Sequence, residues 1–327
     1  MEERQVFQAQ AAGVAHPATI EEIGRRGAAV VERISQVLQG KRAAAELVVI
    51  AVLAEGHVLI EDVPGVGKTT LAKALAASID GSIGRIQFTP DLLPSDVVGA
   101  NVFRAERGEF EFLPGPIFAN IVIGDEVNRA SPKTQSALLE AMQEGQVTVD
   151  GMTYELPRPF IVIATQNPIE MEGTYPLPEA QRDRFMAHLA IGYPDAASEV
   201  AMLDSHELND PLEAVTPVTD ATELRSLIAA IRGLYIAPAL KRYVVDLAHF
   251  TRQTAGVALG ASPRASIQLV RAAKASAALD GRDHVVPDDV QRLAPSVWAH
   301  RIVLNRRHAD LTGETVVRLA LEKVPVR

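Results

Sequence analysis

The 327-residue sequence contains no cysteine. Disulfides, thiolate zinc centres and cysteine nucleophiles are therefore excluded. It also lacks an excess of positive charge: 32 Lys and Arg stand against 41 Asp and Glu, a formal net charge of −9. That balance disfavours a broad nucleic-acid-binding face, although a local basic pore is compatible with it. No apolar run approaches the ~20 residues needed to span a bilayer. The longest, Leu47 to Ala54, reads as a short buried helix or its end. The first residues (Met1, Glu2, Glu3, Arg4, Gln5) are polar and form no signal-peptide apolar core, so a cytoplasmic location is expected. The base-reading Asn-Lys-x-Asp motif that a GTPase switch would need does not occur, nor does an internal repeat or a low-complexity tract. What remains is 47% apolar and 22% charged, ordinary for a soluble globular protein and long enough for two domains.

The most informative stretch is residues 58–70, Val-Leu-Ile-Glu-Asp-Val-Pro-Gly-Val-Gly-Lys-Thr-Thr. An apolar strand enters a Gly-rich turn, and a helix-forming run follows. Backbone N–H groups of such a turn, together with the helix dipole, favour a phosphate group. Pro64, Gly65, Val66 and Gly67 shape the cradle, and the two glycines permit a tight path and close approach. Lys68 would meet the β- and γ-phosphates, and the Thr69 hydroxyl, followed by Thr70, would ligate Mg²⁺. The usual pattern is G-x-x-x-x-G-K-[ST], and Asp62 stands where its first Gly would be. The competing interpretation is an ordinary strand-to-helix loop.

The rest of the chain alternates. Residues 1–18 show no clear period and read as a frayed or disordered tail. Thr19–Leu38 and Arg42–Ala54 read as helices separated by Gly40. Strands are expected at Val58–Ile60, Ile86–Phe88, within Ile117–Ile123 and at Phe160–Ala164, and helices at Thr69–Ser78 and Lys133–Glu144. Val147–Leu156 reads as a hairpin turning at Asp150-Gly151. This alternation implies an α/β fold, a parallel central sheet with helices on both faces, over residues 19–194. Residues 195–327 read as a smaller helical domain, closed by a small strand near Thr315–Leu321, with Asn209-Asp210-Pro211 in a linker.

Two further strand ends, and two arginine-bearing segments, carry polar groups. Ile121 to Glu126 ends in paired acids: Asp125 would hold Mg²⁺ through its water shell and Glu126 would polarise a water. Residues 161–168 end in Asn167, whose amide can sit between a γ-phosphate and the lytic water; a plain Asn-Pro turn is the alternative. Arg182-Asp183-Arg184 fits either phosphate recognition or a salt-bridged helix surface. Ser262 and Pro263 begin a helix with Arg264 in its first turn. An Arg gains nothing from the dipole there, but a nearby phosphate would compensate.

Together these residues resemble the AAA+ ATPases, and among them the MoxR family, over residues 20 to 325. Residues 124–144, 87–96, 115–120, 164–168 and 261–265 carry the resemblance. It implies a P-loop αβα sandwich followed by a helical lid, with ATP and Mg²⁺ bound. Asn167 then corresponds to sensor 1, Arg264 to sensor 2, and Arg184 to an arginine finger acting on a neighbour. Arg129 and Arg182 are lesser candidates for that role. Gly40 and Lys41 match the segment beside the adenine. The 147–156 hairpin and residues 96–116 match family inserts that face a central pore or a partner. The implied assembly is a homo-oligomeric, hexameric ring that remodels or matures protein clients alongside a von Willebrand A domain protein. No such domain, and no appended metal-binding domain, is expected within this chain.

Overall fold

The computed structural model describes residues 18–167, 174–206, 210–305 and 311–326. Expectations for residues 1–17, Pro168 and Asn209 lie outside these. α1 (Ile20–Val37) begins where the Thr19 hydroxyl accepts the Glu22 N–H, and its buried residues Ile23, Val30, Ile34 and Val37 repeat at helical spacing. α2 (Arg42–Leu53) is apolar and largely buried. β1 (Val58–Glu61) then enters the Gly-rich turn and α3 (Lys68–Ser78). Gly65 and Gly67 have φ of 83° and 91°, which side chains disfavour.

Next come β2 (Ile79–Asp80), β3 (Ile83–Gln87), the short α4 (Pro94–Val98) and a hairpin of β4 (Gly99–Arg104) and β5 (Glu109–Pro114). β3 packs so closely on the following chain that a Cβ on Gly84 would lie 1.8 Å from the Pro116 carbonyl oxygen. β6 (Ile121–Asp125) is buried throughout. A 3-10 turn (Val127–Arg129) leads to α5 (Pro132–Glu144), capped by Ser131 and ended by Gly145 at φ 64°. β7 (Gln146–Val149) and β8 (Met152–Glu155) form the expected hairpin; Asp150 at φ 50° and Gly151 at φ 81° have the paired positive angles of a type I′ turn. β9 (Ile161–Gln166), α6 (Glu179–Arg182) and β10 (Ala187–Leu189) follow.

β10, β1, β9, β6 and β3 pair in that order as one parallel sheet. Alternate side chains divide between two apolar cores. Ile121, Ile123, Ile161 and Ile163 face α1–α3, whereas Val122, Val162 and Ala164 face α5. Cover on both sides explains why β6 and β9 read as unbroken apolar runs.

Beyond β10 lies the helical lid: α7 (Ala196–His206), β11 (Thr219–Asp220), α8 (Ala221–Arg232), α9 (Pro238–Gln253), β12 (Val257–Leu259), α10 (Pro263–Leu279), α11 (Pro287–Trp298), β13 (Val303–Leu304) and α12 (Gly313–Lys323). The strand expected over Thr315–Leu321 is instead part of α12. The Thr312 hydroxyl caps the helix at Thr315, and Val316, Val317 and Ala320 are buried at helical spacing. β11 pairs with β2, and α10 packs on α1 and α2, so lid and sheet share one core.

Candidate functional site

The carboxyl ends of β1, β9 and β6 lie side by side, forming the crevice where open α/β sheets bind ligands. Lys68 opens α3, and its Nζ donates to the Asp62 carbonyl and, at 3.3 Å, to that of Gln166. Thr69 Oγ1 donates to Asp125 Oδ1 at 3.0 Å across 56 positions of sequence. Asp125 is buried; Arg85 Nε donates to its other oxygen at 3.1 Å and Thr165 Oγ1 to the same oxygen as Thr69 at 3.3 Å. The Thr165 hydroxyl in turn accepts the Glu126 N–H at 3.0 Å.

Glu126 breaks from the strand with φ 58°, a left-handed conformation costing about 1–3 kcal/mol in a non-glycine residue. That turn separates its carboxylate from that of Asp125. Glu126 Oε2 accepts from Gln87 Nε2 at 3.1 Å and Arg129 Nη1 at 2.9 Å. The neighbouring acids thus occupy different settings, one buried among hydroxyls and one half-exposed between a guanidinium and an amide. Asn167, buried just past β9, accepts from Asn128 Nδ2 at 3.2 Å through its backbone carbonyl. Lys68, Thr69, Asp125, Glu126 and Asn167 therefore lie together at the carboxyl ends of β1, β6 and β9.

Asp62 has a structural use. Its carboxylate accepts the N–H of Val63 at 2.8 Å and of Gly192 at 2.5 Å. From the other side, Lys41 Nζ donates to the Ile191 and Tyr193 carbonyls at 2.7 and 2.8 Å. Residues 191–193, where the chain leaves β10 for the lid, are pinned to the start of the Gly-rich turn and to the start of α2. Gly40, at φ 72°, sits at the same junction, where a Cβ would lie 2.3 Å from Ser198 Oγ. A cavity of about 600 Å³ opens here, lined by Gly40, Lys41, His188, Ile191, Arg292 and Leu293 among others. None of residues 62–70 lines it, so the Gly-rich turn lies outside it.

Positive charge gathers around the loop. A hydrogen bond from His188 at 3.0 Å, helped by the charges of Arg182 and Lys68 and opposed by burial, holds the Glu61 carboxyl below its ordinary range. Arg182 Nε is buried with no partner among the described residues. The half-buried Arg184 side chain makes no hydrogen bond or ion pair with a described residue. Arg129 is engaged with Glu126 of its own site. Arg264 lies 3.9 Å from Asp183 at the start of α10.

Sequence reasoning missed Arg85, Gln87 and Thr165, which hold the two acids. The available signal was the alternation of β3, which places Arg85 and Gln87 on one exposed face.

Residues 57–187 match the family model described as ATPase family associated with various cellular activities (AAA), and residues 249–320 match the AAA lid domain. The chain is 40% identical to Chaperone MoxR1 of Mycobacterium tuberculosis, over 89% of this chain and 80% of that protein. It belongs to the MoxR family of AAA+ ATPases. The chain is also 51% identical to the uncharacterized protein YeaC of Bacillus subtilis, over 91% of this chain and 94% of that protein. A crystallographically solved protein from Cytophaga hutchinsonii superposes with a TM-score of 0.87 at 37% identity, covering 94% of this chain and 97% of that one. Among the described residues, no helix of this MoxR-family chain is long and apolar enough to cross a membrane.

Proposed function

We propose that this MoxR-family protein is a Mg²⁺-dependent ATPase that works as a homo-oligomeric, hexameric ring and remodels or matures partner proteins. The contact of Thr69 with Asp125 beside Lys68 carries the reading, because it joins the phosphate cradle to an acidic strand end. A hydroxyl and a carboxylate are hard oxygen donors that suit Mg²⁺. Among the described residues no group of three or more His, Asp or Glu could hold a metal alone, as fits an ion shared with phosphate oxygens and water. When bound, Mg²⁺ would offset charge on the phosphate oxygens. Lys68 binds the β/γ-phosphates, Glu126 accepts the proton of the attacking water, and the Asn167 amide orients that water. Arg264 reaches the phosphates from the lid, which we take as residues 195–327 closing on a core of 19–194.

Arg184 acts on the neighbouring subunit's ATP, a contribution worth about 10³–10⁵ in rate for trans-acting arginines. Its lack of a partner within the described chain supports this assignment. From the family resemblance we infer a von Willebrand A domain protein and its client complex as partners, in the cytoplasm. A second reading is an ATP-binding assembly module with little turnover; it is favoured by the hold of Gln87 and Arg129 on Glu126. Steady-state phosphate release with Mg²⁺ distinguishes the two, since the assembly module binds ATP without releasing phosphate. Stimulation by DNA would instead favour a DNA-acting motor, which the net charge of −9 disfavours.

A further inference from the structure

The arginine proposed to act in trans sits in a segment whose polar anchors belong to the lid. On one side of Arg184, the Asp183 carboxylate accepts from Ser262 Oγ at 3.2 Å and from Arg301 Nη1 at 3.0 Å. On the other side, the Phe185 carbonyl is met by Arg301 Nη2 and, at 3.1 Å, by His300 Nε2. Ser262 is also the cap of α10, accepting the Ala265 N–H at 3.1 Å. Arg301 is completed by Gln268, one turn further along α10. Its side chain is only 2% exposed. A guanidinium buried that deeply is stable only while its partners stay with it. Residues 183–185 are therefore tied by polar contacts to Arg301 and the start of α10, while the Phe185 ring is buried in the core under the sheet, so the segment bridges the two parts of the fold.

The same carboxylate lies 3.9 Å from Arg264, the arginine expected to face the subunit's own nucleotide. A phosphate that drew Arg264 away would change the charge balance at Asp183, one residue from Arg184.

We propose that Asp183 and Arg301 are positioning residues that tie the arginine a subunit lends its neighbour to the arginine facing its own nucleotide. The occupancy of one site then sets how well that subunit serves the next. This rests on the trans assignment of Arg184.

Mixed rings test it. A donor carrying Glu126→Gln cannot turn over its own ATP but supplies Arg184; an acceptor carrying Arg184→Ala has an intact site but no arginine to lend. Turnover in the mixture comes from acceptor sites facing donors. Adding Asp183→Asn to the donor should lower it at least about tenfold with acceptor KM unchanged, since misplacing a group by an ångström costs up to about 10²-fold. The donor double variant Asp183→Asn/Arg301→Gln, which leaves no unpaired buried charge, should lose as much while assembling at wild-type size. Adding Lys68→Ala to the donor should lower neighbour turnover when Asp183 is intact and change nothing further in the Asp183→Asn donor. Equal turnover from donors with and without the Asp183→Asn substitution would overturn the proposal and leave the trans assignment standing. No turnover in the parent mixture would overturn the trans assignment and the proposal with it.

Discussion

In the proposed reading Lys68 supplies both charge and hydrogen bonds to the phosphates, so Lys68→Ala should abolish nucleotide binding. Titration with a fluorescent ATP analogue checks this, and wild-type affinity in the variant would refute the cradle assignment. Glu126→Gln should bind the analogue normally and lose about 10²–10⁴-fold in turnover, the usual weight of a positioned proton acceptor. Near-normal phosphate release would place the base elsewhere. Asp62 offers a third comparison. Asp62→Gly restores the usual loop pattern but leaves the Gly192 N–H without its carboxylate. Unfolding in urea should show a loss of about 1.5–3 kcal/mol, the net weight of a hydrogen bond to a charged group. Nucleotide affinity should fall far less than in Lys68→Ala. Unchanged stability would mean that the Asp62–Gly192 bond contributes nothing.

At the scale of elements, His57 joins two parts of the fold. Its Nδ1 accepts the Val162 N–H of β9 at 3.0 Å, so the ring proton sits on Nε2 and is donated to the Met142 carbonyl of α5 at 3.0 Å. Complete burial lowers this imidazole from 6.5 to about 4. A folded pKa below the unfolded one means stability is full above 6.5 and falls as pH drops towards 4, by about 1.4 kcal/mol per pH unit. Between pH 6.5 and 5, wild type should lose about 2 kcal/mol more than His57→Gln in urea unfolding. Parallel losses would show that His57 is not held neutral. His300, also driven down by burial and by Arg301, leaves residual acid sensitivity in both proteins.

The elements that were legible share a cause. β1, β6 and β9 are apolar runs ending in chemistry-bearing residues, and the Asp150-Gly151 turn carries its conformation in its residue types. β10 is three residues long, and β4 and β5 are largely exposed, so neither presents a buried pattern. Thr315 to Val317 looked like a strand because β-branched residues cluster there; the Thr312 cap and burial at Val316, Val317 and Ala320 decide for a helix. Lys68, Asp125, Glu126 and Asn167 were readable because each ends a recognisable segment. The Asp62–Gly192 and Asp183–Arg301 contacts join positions 130 and 118 residues apart, and local spacing carries no trace of them.

At the scale of the whole molecule, the proposed reading divides the site between one subunit and an arginine lent by its neighbour. Lys68, Thr69, Asp125, Glu126 and Asn167 converge in one subunit, whereas the Arg184 side chain makes no hydrogen bond or ion pair with a described residue. Arg184→Ala should therefore spare nucleotide binding and lower turnover by about 10³-fold or more. The same substitution with undiminished turnover would remove Arg184 from the reaction. The measurement that bears most directly on shared catalysis is turnover per subunit, followed across a dilution series alongside particle mass. The rate should rise steeply as subunits associate and fall towards zero in the monomer. Full-speed hydrolysis by a monomer would contradict the account.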